Sequence, residues 1–115
     1  MLVKISRAPL WRGDGGGLDV TRKTGRGLGL VFAPPWNMVE AHKHGRMTDE
    51  RYTELYLEQL RRIPDERYHE LWQLAVVHFN ARLVLRCYCK DGAFCHTYLM
   101  IDHMLERFPA LFCIV

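Results

Sequence analysis

Leu83-Val84-Leu85-Arg86-Cys87-Tyr88-Cys89-Lys90-Asp91-Gly92-Ala93-Phe94-Cys95-His96 is the stretch from which the fold is read. Its first three residues form a nearly continuous apolar run, the pattern of a strand covered on both faces, so a strand is expected from Arg82 to Tyr88. Lys90 to Ala93 reads as a turn. A helix is expected from about Phe94 to Arg107, with Leu99, Met100, His103 and Met104 among its apolar positions. After Pro109, Leu111 to Val115 reads as a final strand. Strand, turn, helix and strand in that order predict an α/β fold. The whole chain, 1–115, is expected to be a single small domain with a short mixed sheet and about four helices packed on it.

Working back from this stretch, Pro64 opens a helix whose buried face carries Tyr68, Leu71, Trp72, Ala75 and Phe79. Thr48 suits the N-cap of the helix before it, with Asp49 and Glu50 in the first turn complementing the dipole. Tyr52, Leu55, Tyr56, Leu60 and Ile63 give that helix one apolar face. Pro34-Pro35 opens a shorter helix from Trp36 that carries Met38, Val39 and His42 and stops at Gly45. Leu28 to Phe32 is apolar and reads as extended, and Leu18 to Thr21 as a short extended piece. Leu2-Val3-Lys4-Ile5-Ser6 alternates, so a short edge-like strand is expected there. Gly13 to Gly17 form a glycine-rich loop, and Arg22-Lys23-Thr24-Gly25-Arg26-Gly27 a basic turn. There is no internal repeat and no linker.

The composition is that of an ordinary globular domain: 115 residues, 49% apolar and 25% charged. No apolar run reaches the length of a membrane span, and Met1-Leu2-Val3-Lys4 is no signal peptide, so membrane and secreted classes are excluded and a cytoplasmic location is expected. A net charge of +3 is too small to argue for nucleic acid, which is not favoured as a partner. The four cysteines are read as thiols. Cys113, alone in Phe112-Cys113-Ile114, is read as a small buried apolar side chain.

Cys87 and Cys89, two apart on a strand, share a face. The strand end and helix start then meet around Lys90 to His96, where α/β sheets bind ligands and helix N-termini favour thiolate. Four readings stay open: an anion site, a nucleophile (Cys87 or Cys95) with His96 as its base, a metal site, or cysteines that only pack. The anion reading is preferred. No metal and no cofactor are expected, because the Cys-x-Cys-x5-Cys-His spacing is not a zinc pattern and adjacent Cys95 and His96 reach one tetrahedral ion with difficulty.

Arg22, Lys23 and Arg26 amid Gly25, Gly27 and Gly29 fit a phosphate, or else form a solvated hairpin. Trp36 is expected to pack against the core more than to stack on a base. His42 and His44 are placed on the helix surface, and Asp102 and His103 too far along the last helix to join the pocket.

Leu18-Asp19-Val20-Thr21-Arg22-Lys23-Thr24-Gly25, Phe32-Ala33-Pro34-Pro35-Trp36, Tyr52-x-x-x-Tyr56 and Leu85-x-Cys87-Tyr88-Cys89-x-x-Gly92-x-Phe94-Cys95-His96 occur in this order. The series resembles the small, often phage-encoded members of the domain-of-unknown-function family numbered 488, over about 1–108. The resemblance implies an α/β fold with a pocket built from the Asp-Val-Thr-Arg-Lys turn, the Phe-Ala-Pro-x-Trp corner and the Cys-His helix start. In similar proteins an arginine usually follows Cys-His, where this chain has Thr97. If that arginine holds an anionic group, its charge is expected here from Arg22, Lys23, Arg26 or Lys90; otherwise the ligand has changed or the activity has been lost.

The function expected is binding of a phosphorylated, nucleotide-like small molecule. Thr21, Arg22, Lys23, Arg26, Phe32, Trp36, Tyr88, Lys90, Phe94, Cys95 and His96 are its candidate ligand residues. A phage-type protein would use such a pocket to sequester a host defence signal, in the host cytoplasm and as a homo-oligomer. The alternative is a thiol-dependent enzyme acting on a nucleotide or nucleic-acid component, with Cys87 or Cys95 as nucleophile and His96 as base.

Overall fold

Val3 and Ile5, Leu83 and Leu85, and Phe112 are all buried in one apolar cluster with the helices, which fixes the inner face of the sheet. The computed structural model describes residues 1–12 and 17–114; residues 13–16 of the expected glycine-rich loop, and Val115, lie outside the described residues. Strands β1 (Val3–Pro9), β2 (Leu18–Asp19), β3 (Arg82–Cys87) and β4 (Phe112–Ile114) form one sheet in the order β2-β3-β1-β4. All three pairings are parallel, so the sheet is not mixed. A strand that follows its predecessor through a helix re-enters from the same end, as β4 does after the helix that follows β3.

Two strand expectations are corrected. β1 is not an edge strand but lies between β3 and β4, pairing Lys4 with Arg82 and Val3 with Phe112. Its alternation reports one buried face, which an interior strand shows equally well when the other face is open. β3 is likewise not covered fully on both faces: Arg82 is exposed and Val84 half-buried, beside exposed Lys4 of β1.

Five helices are present among the described residues, one more than expected. The addition is α1 (Leu28–Val31), where an extended segment was expected. Gly29 explains the difference, since a Cβ there would fall 2.1 Å from the Asp19 carbonyl oxygen. Only glycine lets this turn lie against β2.

α2 (Trp36–Lys43) follows Pro34-Pro35 and stops before Gly45, whose φ of +73° suits glycine. α3 (Asp49–Arg62) is capped by the Thr48 hydroxyl, which accepts the Arg51 N–H at 3.1 Å. α4 (Asp65–His78) starts after Pro64. Tyr52, Tyr56 and Leu60 of α3 and Tyr68, Leu71 and Ala75 of α4 are buried, as their spacing requires. α5 (His96–Arg107) packs on the sheet and on α3. Among the described residues no helix is long and apolar enough to cross a membrane.

Candidate functional site

β3 runs out at Cys87 and α5 begins after Cys95, its N-cap, so the intervening loop brings both cysteines to the carboxyl end of the sheet. Their sulfurs are 3.1 Å apart, and the Sγ atoms of Cys87, Cys89 and Cys95 all lie within 4.8 Å of one another. Among the described residues this trio is the one group of metal-ligating side chains close enough to share an ion. The cysteines form part of a cavity of about 430 Å³, within the size range of small-molecule sites.

The sulfurs are not equivalent. Hydrogen bonds from Cys87 and then Cys89 pull the Cys95 thiol far below its ordinary pKa; burial opposes them and Thr97 assists. Cys89 moves the other way, because its bonds to Cys87 and Cys95 hold its proton. Of these two thiols, Cys95 is therefore the one that favours the thiolate. The Thr97 hydroxyl, itself fully buried, donates to Cys95 Sγ at 3.2 Å.

His96 is buried as well, and burial is the main cause that keeps its imidazole below the usual pKa. Its Nε2 lies 2.8 Å from the Val20 carbonyl oxygen. A carbonyl only accepts, so Nε2 carries the proton and Nδ1, 3.8 Å from Cys95 Sγ, presents a lone pair to the sulfur. The arrangement can therefore supply a thiolate and, beside it, a neutral base.

Aromatic rings build the walls. Tyr52 of α3, Trp36 and His42 of α2, Phe94, and Tyr88 all contribute. The His42 ring sits 5.0 Å from those of both Tyr52 and Phe94. Its Nε2 bonds Asp49 at 2.6 Å. Trp36 and Tyr88 are each 47% exposed, so Trp36 stands at the mouth rather than stapling α2 to the core. The Tyr88 hydroxyl donates to Thr24 Oγ1 at 2.8 Å, and Lys23 Nζ lies 5.7 Å from the Tyr88 ring.

The Asp-Val-Thr-Arg-Lys turn is held by its own side chains. Asp19 Oδ1 accepts from the backbone N–H and hydroxyl of Thr21 at 2.9 and 2.7 Å, an Asx-type turn. Arg22 lines the cavity, but its guanidinium donates to the carbonyls of Ala33 and Pro34 at 2.7 and 3.1 Å, so it ties the turn to the Pro34 corner. Gly25 of the basic turn serves packing, since a Cβ there would meet the Thr21 carbonyl oxygen at 2.4 Å, whereas Gly27 has open space around it and is set by its φ of +52°.

Thr21, Arg22, Lys23, Trp36, Tyr88, Phe94, Cys95 and His96 thus come together with Cys87 around one cavity. Three expected ligand residues do not. Phe32 is fully buried against Tyr68, at 5.1 Å between ring centroids, because α1 turns it into the core. Arg26 and Lys90 are exposed and lie outside the cavity lining, Arg26 donating from Nη1 to the Gly25 carbonyl at 3.3 Å. Cys113 is half-buried rather than buried, since β4 places it on the open face beside Lys4. Asp102 and His103 line a separate cavity, as expected.

The cation at the sulfurs is Arg7 of β1, which donates from Nη2 to Cys87 Sγ and the Cys89 carbonyl, both at 2.7 Å, and from Nε to Thr97 Oγ1 at 3.2 Å. Its Nη1 pairs with Asp91 at 2.6 Å. Burial works against its charge, while Cys87 and Asp91 outweigh that effect and raise its pKa. Alternation on β1 places Arg7 on the face of Val3 and Ile5, and a charge on an apolar face was the signal that would have identified it. Cys89, His42 and Tyr52 were likewise missed as site residues, the last two because a ring on a helix reads as core or surface until its neighbours are known.

No curated protein and no solved structure matches the chain. A family profile, described as the active DUF488-N3 subclade, matches residues 17–108, from β2 through the end of α5. The match contains every wall and sulfur of the cavity and leaves out β1 with Arg7. Spanning most of the sequence, it establishes that the chain belongs to the DUF488-N3a family.

Proposed function

We propose that the protein is an enzyme acting on a phosphorylated, nucleotide-like small molecule, with the three-sulfur floor of the cavity as its reactive element. The observation that carries this reading is the clustering of Cys87, Cys89 and Cys95 within 4.8 Å at the base of an aromatic-walled cavity. Trp36 and Tyr88 offer stacking faces for a planar base, and Lys23 and the N-terminus of α5 offer positive potential for a phosphate. Membership of a subclade described as active favours turnover over capture.

A second reading is capture without turnover, favoured by the exposure of Trp36 and Tyr88 at the mouth. In that case the small, phage-type protein sequesters a nucleotide signal of host defence, and a homo-oligomer completes the pocket.

Native mass spectrometry with mono-, di-, cyclic and ADP-ribose-type nucleotides, followed by denaturation, separates the two. The enzyme reading expects a converted product or a covalent mass that Cys95→Ser abolishes. Ligand released unchanged establishes capture, and no binding to any nucleotide overturns both.

A further inference from the structure

We infer that Cys87, Cys89 and Cys95 hold a zinc ion as three thiolates, leaving one coordination position open to the cavity. The inference deepens the proposed function and, for the role of the open position only, rests on it.

Three features of the chain carry it. The first is distance. Tetrahedral zinc with Zn–S bonds of about 2.3 Å places its sulfurs about 3.8 Å apart. The trio lies within 4.8 Å, and the 3.1 Å between Cys87 and Cys95 needs to open by about 0.7 Å to reach the tetrahedral spacing. It is also far longer than a disulfide bond of about 2.05 Å.

The second is construction. The ligands come from a strand end, a loop and a helix N-cap, all within nine residues that close on themselves, and Cys87 and Cys95 are buried with few polar neighbours other than one another, Arg7, Thr97 and His96. Soft thiolates in such a pocket select zinc over magnesium or calcium.

The third is charge. Three thiolates and a divalent ion carry a single net negative charge. Arg7, 2.7 Å from Cys87 Sγ, compensates it, and the Thr97 hydroxyl reaches Cys95 at 3.2 Å. Both contacts are of the outer-shell kind that orients metal ligands.

His96 is not among the side chains whose ligand atoms all lie within 4.8 Å of one another, although its Nδ1 stands 3.8 Å from Cys95 Sγ, so the three sulfurs are the ligands that the geometry brings together. All three cysteines line the cavity, so a fourth position would be reached from it. A site with three protein ligands and one open position is the arrangement of catalytic rather than structural zinc. With zinc bound there, that position would be available to water or to an oxygen of the substrate.

The test uses the full chain, purified under reducing, oxygen-free conditions, with zinc measured by plasma mass spectrometry and with cobalt(II) substituted for zinc. One zinc per chain and an intense sulfur-to-cobalt charge-transfer band are expected. Cys89→Ser, the least buried ligand, should lose both while keeping its far-ultraviolet circular dichroism; Cys113→Ser should keep both. A folded, reduced wild type that retains no zinc after incubation with zinc chloride overturns the inference. So does zinc retained equally by Cys89→Ser, which marks adventitious ion only. Cysteine-dependent nucleotide conversion by zinc-free protein would leave the proposed function standing without the metal. Bound zinc with no nucleotide bound or converted would do the reverse.

Discussion

Arg7 Nη2 lies 2.7 Å from Cys87 Sγ across two adjacent parallel strands, with Arg7 in register with Leu85 and Cys87 with Pro9. The two side chains are diagonal neighbours on the inner face of the sheet. The Arg7 side chain is only 4% exposed, so its charge is sustained by the sulfurs, the Cys89 carbonyl and Asp91. This pairing makes the first strand part of the site.

Arg7→Met should keep the aliphatic stem and remove every donor to the sulfurs. The expected cost is about 1–3 kcal/mol of stability, the range for leaving buried hydrogen-bonding groups without a partner. A urea midpoint within error of wild type would show that Arg7 is not anchored as described. Activity on a nucleotide substrate should fall together with stability.

Thr97→Arg places after Cys-His the arginine that the family resemblance leads one to expect there. Position 97 is fully buried, and its hydroxyl already sits 3.2 Å from Arg7 Nε. Two guanidinium groups there are expected to destabilise the fold by about 3–5 kcal/mol, the scale of an uncompensated buried charge. Arg7→Ala combined with Thr97→Arg should recover part of that loss, because the cation then reaches the sulfurs from α5 instead of β1. Strict additivity in a double-mutant cycle would refute the exchange.

Trp36→Ala and Tyr88→Ala should weaken binding of a nucleotide-type ligand by about 1–3 kcal/mol each, the usual worth of base–aromatic stacking. Both rings are half exposed, so stability should stay within about 0.5 kcal/mol of wild type. Calorimetric titration and thermal melts on the same samples test the two halves of this expectation.

Tyr56→Phe removes the hydroxyl that donates to the Phe32 carbonyl at 2.7 Å in the core. About 1–3 kcal/mol should be lost with the ring packing unchanged. The cavity walls should be little affected, which ligand affinity would verify.

His103 should titrate below 6.5, mainly through burial and then through the nearby Arg61 charge. Its proton is bound more weakly in the folded state than in the unfolded one. The contribution is therefore neutral above the unfolded pKa and destabilising as pH falls below about 6.5 through the folded pKa. His103→Gln should flatten the acid side of the stability profile, and an NMR titration of the imidazole with a midpoint above 6.5 would contradict the assignment.

Much of this was readable from local pattern. Thr48, Pro64 and Gly45 mark helix ends by side-chain chemistry that acts within a few residues, and the structure places them there. The Cys87 to His96 strand-to-helix joint was also local. What failed needed knowledge of distant neighbours. Leu28 to Phe32 looked extended because its apolar content is the same in either state, while the packing of Gly29 on Asp19 decides for a helix. Arg7 and Cys89 entered the site through contacts that span the chain or a loop, which residue spacing does not encode.

The register of β1 also constrains how the protein assembles. Its first partner, β3, is made only after α3 and α4 have been synthesised, since Lys4 pairs with Arg82, and its other neighbour, β4, is later still. Local helices can form early, but the sheet must wait for long loops to close. Folding should therefore be slow for the chain's size, with Val3 and Ile5 uncovered in the nascent protein. That interval, rather than the finished molecule, is where a chaperone would be needed.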